Sequence, residues 1–358
     1  MRRGVFAGAM LMVALVFPHA SFSACINDNI IRDPELFQWT NAGDHSVGMM
    51  EIVEADLMIG TDTITTRVYK QAEVEKPCIP GPTMIMEPGT KYVLQFRNRL
   101  PYEPMSPEHN VFKDPNVSNL HTHGLHISGL TPGDDVTRSF EGGAGGDFVY
   151  DIPQNHMGGT FWYHAHHHGS TYLQVSGGAF GLIIIDDAND EIPAKVAAMT
   201  ERQLVIAYLD PDVAGTGGDT LITGSLSPAW TVNGKINGDL LMPSNEWQHF
   251  RILLADRDAK PKTLSIGTAC DMELLARDGV WRTTAPKTLA GNDIELTGAS
   301  RADIAVKCAG NSTIDVGGQT VANIVTGAQG DTGPGPWSGS SENDGKWSAL
   351  RPAYLQDL

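Results

Sequence analysis

Three things are scarce in this sequence. There is no run of about 20 apolar residues of the kind that crosses a membrane as a helix. No cluster of lysine and arginine occurs, and no long segment repeats its apolar residues with helical period. The first absence leaves no membrane-spanning helix to expect. The second, with 25 basic against 42 acidic residues and a formal charge of −17, argues against nucleic acid or an anionic membrane as partner. The third leaves strands as the building material. The 39 glycines and 21 prolines fit many short strands joined by turns.

At 358 residues the chain has room for two domains of ordinary size and a tail. Residues 1–23 read as a secretory signal peptide. Arg2 and Arg3 supply its charge, Val5 to Phe17 its apolar run, and Ser21 and Ser23 the small residues before a cut at Ala24. Arg2-Arg3 also fits twin-arginine export, the route for proteins folded before transport. Phe22 stands where a lipobox needs a small aliphatic residue, which argues against lipidation. A secreted or periplasmic location follows. Such a compartment favours disulfides. The four cysteines, Cys25, Cys78, Cys270 and Cys308, allow three pairings. One bridge per domain gives Cys25–Cys78 and Cys270–Cys308, and free buried thiols are the plain alternative.

Strand signals fill two blocks. In the first, Lys91 to Asn98 places Tyr92, Leu94 and Phe96 on one face and Gln95 and Arg97 on the other. Pro80-Gly81-Pro82 and Pro88-Gly89 mark turns, and Gly177 to Ile185 reads as a buried closing strand. Asp186 to Ala194 is polar and reads as a linker. In the second block, Gln203 to Tyr208 and Phe250 to Leu254 are strand candidates, and Arg301 to Lys307 alternates. From Thr326 to Asp344, Gly, Ser and Asp dominate, as in a flexible linker.

The chemistry is concentrated in two histidine groups, Asn119-Leu120-His121-Thr122-His123-Gly124 and Gly159-Thr160-Phe161-Trp162-Tyr163-His164-Ala165-His166-His167-His168-Gly169. On a strand, residues i and i+2 share a face. His121 and His123 therefore project together, as do His164 and His166. Two neighbouring strands so equipped bring four imidazoles to one place, and imidazole ligates copper, zinc, iron and nickel. A lone histidine is usually a solvated or core residue, and one His-x-His arises by chance in loops. Two pairs beside apolar runs within one domain are harder to dismiss. His126, His167 and His168 read as neighbours of the site or as exposed residues. His45, His109, His156 and His249 take the plain reading. Met84 and Met86 carry soft thioethers but read as packed strand residues.

At these residues the sequence resembles the multicopper oxidases, the group that holds laccases, ascorbate oxidase and the exported bacterial copper oxidases. His121-Thr122-His123-Gly124 matches the family's first His-x-His-Gly motif. Gly159 to His166 matches its second, with Trp162-Tyr163 before the ligand pair. Pro80-Gly81-Pro82-Thr83, Glu87-Pro88-Gly89, Thr231-Val232-Asn233-Gly234-Lys235 and Ala299-Ser300-Arg301-Ala302-Asp303 resemble further family segments in the right order. The resemblance spans about residues 50–310 and implies an all-β chain of two tandem cupredoxin-like Greek-key β-sandwich domains, at residues 30–190 and 197–325. It implies a copper-binding oxidoreductase that oxidises a substrate and reduces O2 to water. His121 would bind the type 2 copper, and His123, His164 and His166 the type 3 pair. An acidic residue near the cluster helps deliver protons in this family. Asp134 and Asp135 are the candidates, with turn residues in Pro132-Gly133-Asp134-Asp135 as the alternative.

The departure from the family is in the second half. Its type 1 copper takes a cysteine thiolate and two histidines, often with a weak axial methionine. After His168 this sequence has one histidine, His249, and neither Cys270 nor Cys308 has a histidine beside it. The expectation is a partial chain with half of the trinuclear copper site and no type 1 site. Residues 326–358 would be a tail leading to a missing third domain, and a type 1 copper domain or subunit would act in trans. O2 and an electron donor are the expected small partners. Two other readings stay open: a secreted protein that sequesters copper without turnover, and a mononuclear zinc or iron enzyme that activates water.

Overall fold

A computed structural model describes residues 26–329 apart from 75, 110, 187–191, 193, 211–222, 225 and 283–285. The expected signal peptide, Cys25, most of the expected linker and everything from residue 330 onward lie outside the described residues.

The first domain runs through β1 (Thr40–Asn41), β2 (Ser46–Ile59), β3 (Asp62–Gln71), β4 (Met84–Met86), β5 (Lys91–Asn98), β6 (His121–His123), β7 (Gly145–Asp151), β8 (Gly159–His164), helix α1 (Thr171–Ser176) and β9 (Phe180–Ile185). The second follows with helix α2 (Ala194–Ala197), β10 (Thr200–Leu209), β11 (Thr223–Gly224), β12 (Ala229–Val232), β13 (Gly238–Ser244), β14 (Gln248–Ala255), β15 (Lys262–Ile266), β16 (Cys270–Arg277), β17 (Val280–Trp281), β18 (Lys287–Thr288), β19 (Asp293–Leu296), β20 (Arg301–Cys308), β21 (Ser312–Val316) and β22 (Gln319–Gln329).

Each domain is a sandwich of two sheets. In the first, β3-β2-β5-β7 faces β4-β9-β8-β6; in the second, β12-β10-β14-β20-β16-β17 faces β13-β22-β21-β15-β19. The two share one wiring plan. In each sandwich one sheet holds a single parallel pair (β2 with β5, β10 with β14), and so does the other (β4 with β9, β13 with β22). All other pairings between these strands are antiparallel, which is the crossover pattern of Greek-key sandwiches. Strand β11 leaves its own domain and pairs with β3 of the first.

Each sandwich has its own apolar interior, around Phe96, Phe148, Tyr69 and Ile183 in the first and Phe250, Ile304, Leu264 and Ile324 in the second. A third cluster joins them. Trp162, Phe180, Leu182 and Val68 of the first domain pack on Val205, Leu209, Leu253 and Ala255 of the second. A buried apolar interface of this kind holds two domains in a fixed relation.

Four expectations need correction. The closing strand starts at Phe180, not Gly177, because the preceding residues Thr171–Ser176 form a short helix ended by Gly177. Helix α1 has too few turns to show a period. The alternation at Arg301–Lys307 pointed to a half-buried strand, yet residues 301–306 are all buried. The second face of β20 is covered by the first domain. The chain also remains in a strand past Thr326, since Thr326 and Gln329 pair with Met242 and Ser244. Finally, His249 is not a plain residue: it is buried and its Nε2 lies 2.9 Å from Asp303.

Among the described residues no cysteine is free. Cys270 and Cys308 are cross-strand neighbours on β16 and β20 and are bonded to each other, as expected. Cys78 is also disulfide-bonded; its expected partner, Cys25, lies outside the described residues. Met84 and Met86 are fully buried packing residues.

Candidate metal centre

The register of two strands builds the site. Antiparallel pairing of β6 with β8 sets His121 opposite His164 and His123 opposite Trp162. The pleat then sorts the side chains. His121, His123, Trp162 and His164 share one face, while Thr122 and Tyr163 are buried on the other, where Tyr163 Oη donates to the Pro82 carbonyl. His166 lies just past β8. Its backbone N–H donates to Asn119 Oδ1 at 2.7 Å, and Asn119 Nδ2 donates to the carbonyls of Val136 and Arg138. The buried Asn119 thus ties the second histidine motif to the loop that follows the first. Sequence reasoning missed it; a polar residue two places before His121 was the available signal.

The four rings converge. Ring centres lie 4.9 Å apart for His121 and His166, 5.2 Å for His121 and His164, and 5.7 Å for His123 and His164. One ring nitrogen each from His121, His123 and His164 fall within 4.8 Å of one another. His123 Nδ1 and His164 Nε2 are 3.4 Å apart. Two nitrogens bound tetrahedrally to one ion at usual imidazole distances sit about 3.4 Å apart. The second motif also has the tautomer a ligand needs. His164 Nδ1 is 2.9 Å from the Ala165 carbonyl, which fixes its proton there and leaves the Nε2 lone pair facing the cluster. Trp162 stacks on His164 with ring centres 4.2 Å apart and closes one side.

The electrostatics favour the neutral form of His123, His164 and His166. Burial, reinforced by the positive charge of Arg301, lowers the His123 pKa to about 4. Burial pushes His164 well below the usual histidine value, and burial followed by the neighbouring His121 lowers His166. Neutral imidazole is the form that binds a metal ion.

The two acidic candidates are placed differently. Asp134 is buried, its Oδ1 accepts from the Thr122 N–H at 2.9 Å, and its Oδ2 lies 2.8 Å from His121 Nδ1, off the line of an ideal hydrogen bond. Asp135 touches no histidine. Its carboxylate closes a local turn, accepting from the Thr131 hydroxyl and from the Thr137 N–H and hydroxyl; these bonds, Thr131 first, hold its pKa below the usual range.

The remaining histidines are separate. His167 is buried between Ser139 Oγ at 2.6 Å and Asp114 Oδ2 at 3.0 Å, and His168 is exposed. His156 Nε2 accepts from the His126 N–H while its Nδ1 meets the Met157 carbonyl, so both ring nitrogens are occupied.

Fold and site together place a histidine cluster able to hold a metal ion on tandem cupredoxin-like sandwiches. A family profile described as "Multicopper oxidase" matches residues 64–190, a stretch that contains both histidine motifs. A copper resistance protein A from Pseudomonas syringae pv. tomato is 27% identical over 156 residues, 43% of this chain and 22% of the relative. A multicopper oxidase from Staphylococcus aureus is 29% identical over 178 residues, 46% of this chain and 36% of the relative. Among solved structures, a multicopper oxidase from Campylobacter jejuni superposes with a TM-score of 0.62 at 19% identity, covering 84% of this chain and 62% of that one. One from Aquifex aeolicus gives 0.64 at 17%, covering 85% and 66%. At those identities the structures speak for the fold alone. Residues 64–190, with both histidine motifs, are thus similar to the multicopper oxidases. The matched stretch spans less than half the length of these curated relatives.

Proposed function

We propose that this chain is the copper-binding part of an exported oxidoreductase that passes electrons from a donor to dioxygen. The observation that carries the reading is the convergence of His123 Nδ1 and His164 Nε2 at 3.4 Å, with His121 and His166 beside them. His123 and His164 would share one ion of a type 3 pair, His166 would hold its partner, and His121 would hold the type 2 ion. Copper held there would relay the donor's electrons in the four-electron, four-proton reduction of O2 to water. Asp134 holds its carboxylate 2.8 Å from His121 Nδ1 and would favour presentation of the Nε2 lone pair to the ion. Its carboxylate is also the acidic group best placed to take and release protons at the cluster. Asp135 is placed to hold the turn that carries Asp134. Four histidines are half of what three copper ions need, so further ligands come from another domain or subunit.

The cysteines support the same division. Cys78, Cys270 and Cys308 are consumed in disulfides, so none offers a thiolate to a type 1 copper. Electrons from the donor would then enter through a type 1 domain in trans. Those disulfides also support an oxidising, secreted or periplasmic location. Among the described residues no helix is long and apolar enough to cross a membrane.

Copper and zinc offered together at equal concentration test the reading, with dioxygen uptake followed after a reductant is added. Copper outcompeting zinc, with reoxidation by dioxygen, is expected. Zinc displacing copper would favour a mononuclear hydrolytic site. Copper held without any dioxygen uptake, even with a type 1 domain supplied, would favour a sequestering role.

A further inference from the structure

The second domain contributes none of the four histidines, yet it reaches the strands that carry them. Arg301 and Asp303 alternate along β20 and both meet Thr160, the second residue of β8. Thr160 Oγ1 donates to Asp303 Oδ1 at 2.9 Å, and Arg301 Nε approaches the Thr160 carbonyl at 3.4 Å. Arg301 also explains the glycine that ends the first motif. A Cβ on Gly124 would lie 2.7 Å from Arg301 Nη2 and 3.6 Å from its Cζ, at a φ of +95°. The guanidinium therefore rests against the residue that follows His123.

The charge of Arg301 is incompletely matched there. Asp303 is fully buried, but it already faces Arg251 at 3.2 Å and His249 at 2.9 Å. Asp278, 3.4 Å from Arg301 Nη1, has a side chain that is 52% exposed, so water screens it. Arg301 itself is buried, and its Nη1 and Nη2 donate to the carbonyls of Ala299 and Asp278, which hold it in place. A fixed positive charge beside a metal ion opposes the ion of higher charge more than the ion of lower charge.

We propose that Arg301 sets the redox preference of the ion held by His123 and His164, favouring Cu(I) over Cu(II), so that the second domain tunes a centre to which it gives no ligand. Arg301 is a positioning and field-setting residue here, not a ligand. The inference rests on the copper reading of the site.

The test uses the full chain and the two copper ions themselves, Cu(I) under anaerobic conditions and Cu(II), each titrated against a competing chelator. The quantity read is the ratio of the two affinities in wild type, Arg301→Gln, Arg301→Lys and Asp278→Asn. Removing the charge in Arg301→Gln is expected to move the ratio about tenfold toward Cu(II). Arg301→Lys keeps the charge and should move it less than about twofold. Asp278→Asn keeps a side-chain carbonyl for the Arg301 N–H and suits the positive φ at that turn. It should fold normally and move the ratio toward Cu(I). An unchanged ratio in wild type, Arg301→Gln and Asp278→Asn overturns the inference and leaves the copper reading intact. Equal losses for both ions in Arg301→Gln and Arg301→Lys, with a matching fall in Tm, overturn it in favour of a packing role. A wild-type chain that holds neither ion overturns the copper reading and this inference with it.

Discussion

A histidine serves a metal only when its proton is off and its lone pair faces the ion. Both conditions are met at His164, where the Ala165 carbonyl holds the Nδ1 proton and burial lowers the pKa. The same physics predicts how the site responds to acid. The folded pKa of His123 is about 4, and those of His164 and His166 also lie below the free value. In the unfolded chain these groups take up protons near pH 6.5. Between those values the unfolded state binds more protons, so the His123 contribution to apo-protein stability falls as pH drops from about 6.5 toward 4 and levels off below, and His164 and His166 add losses of the same sign. Copper affinity, measured by competition over the same window, should hold down to about pH 5 and be lost near pH 4, where His123 charges in the fold. A loss of copper centred at pH 6.5 would mean ordinary solvated histidines. The pairing of histidines was legible in the i, i+2 spacing. Which of Asp134 and Asp135 meets a histidine was not, because neighbouring residues in one turn differ only in where the backbone aims them.

At the scale of elements, β8 is the centre of the molecule. One edge pairs with β6 to form the site, the other with β9. Its first residues are seated on the second domain through Gly158 and Trp281, Gly159 and Gly279, and Thr160 and Asp303. The period-2 pattern of Lys91–Asn98 was readable because one of its faces is only partly covered. That of Arg301–Cys308 misled, because a strand buried on both faces keeps polar residues only where partners await them across a domain boundary. Arg301 and Asp303 look like solvent-face residues until Thr160 is beside them. The glycine of the first motif gives a direct check. Gly124→Ala adds a Cβ 2.7 Å from Arg301 Nη2 and 3.1 Å from the Phe161 ring at positive φ. It should cost about 1–3 kcal/mol and weaken metal binding at His123. Thermal unfolding of the apo and metal-loaded chain measures both; a neutral substitution would show that Arg301 does not press on this turn.

The whole molecule repeats one sandwich twice and uses the copies differently. The first carries the four clustered histidines. The second carries a buried polar group of Arg251, Asp303 and His249 at the boundary, with the partly exposed Glu201 paired to Arg251, and a disulfide between its strands β16 and β20. Two β-rich blocks were readable from chain length, strand alternation and the polar stretch between them, and the tandem sandwiches were implied by the family resemblance. Their mutual orientation was not, since it depends on long-range packing of Trp162, Phe180 and Leu182 against Val205 and Leu253. The central claim is that this arrangement makes a metal centre from histidines 121, 123, 164 and 166. Anaerobic Cu(I) titration of the purified chain, with oligomeric mass taken in the same run, tests it most directly when wild type is compared with His164→Ala. The account predicts at least one tightly held ion per chain and its loss in the variant with the fold retained. Wild type that holds no copper, or holds it equally well without His164, would contradict it.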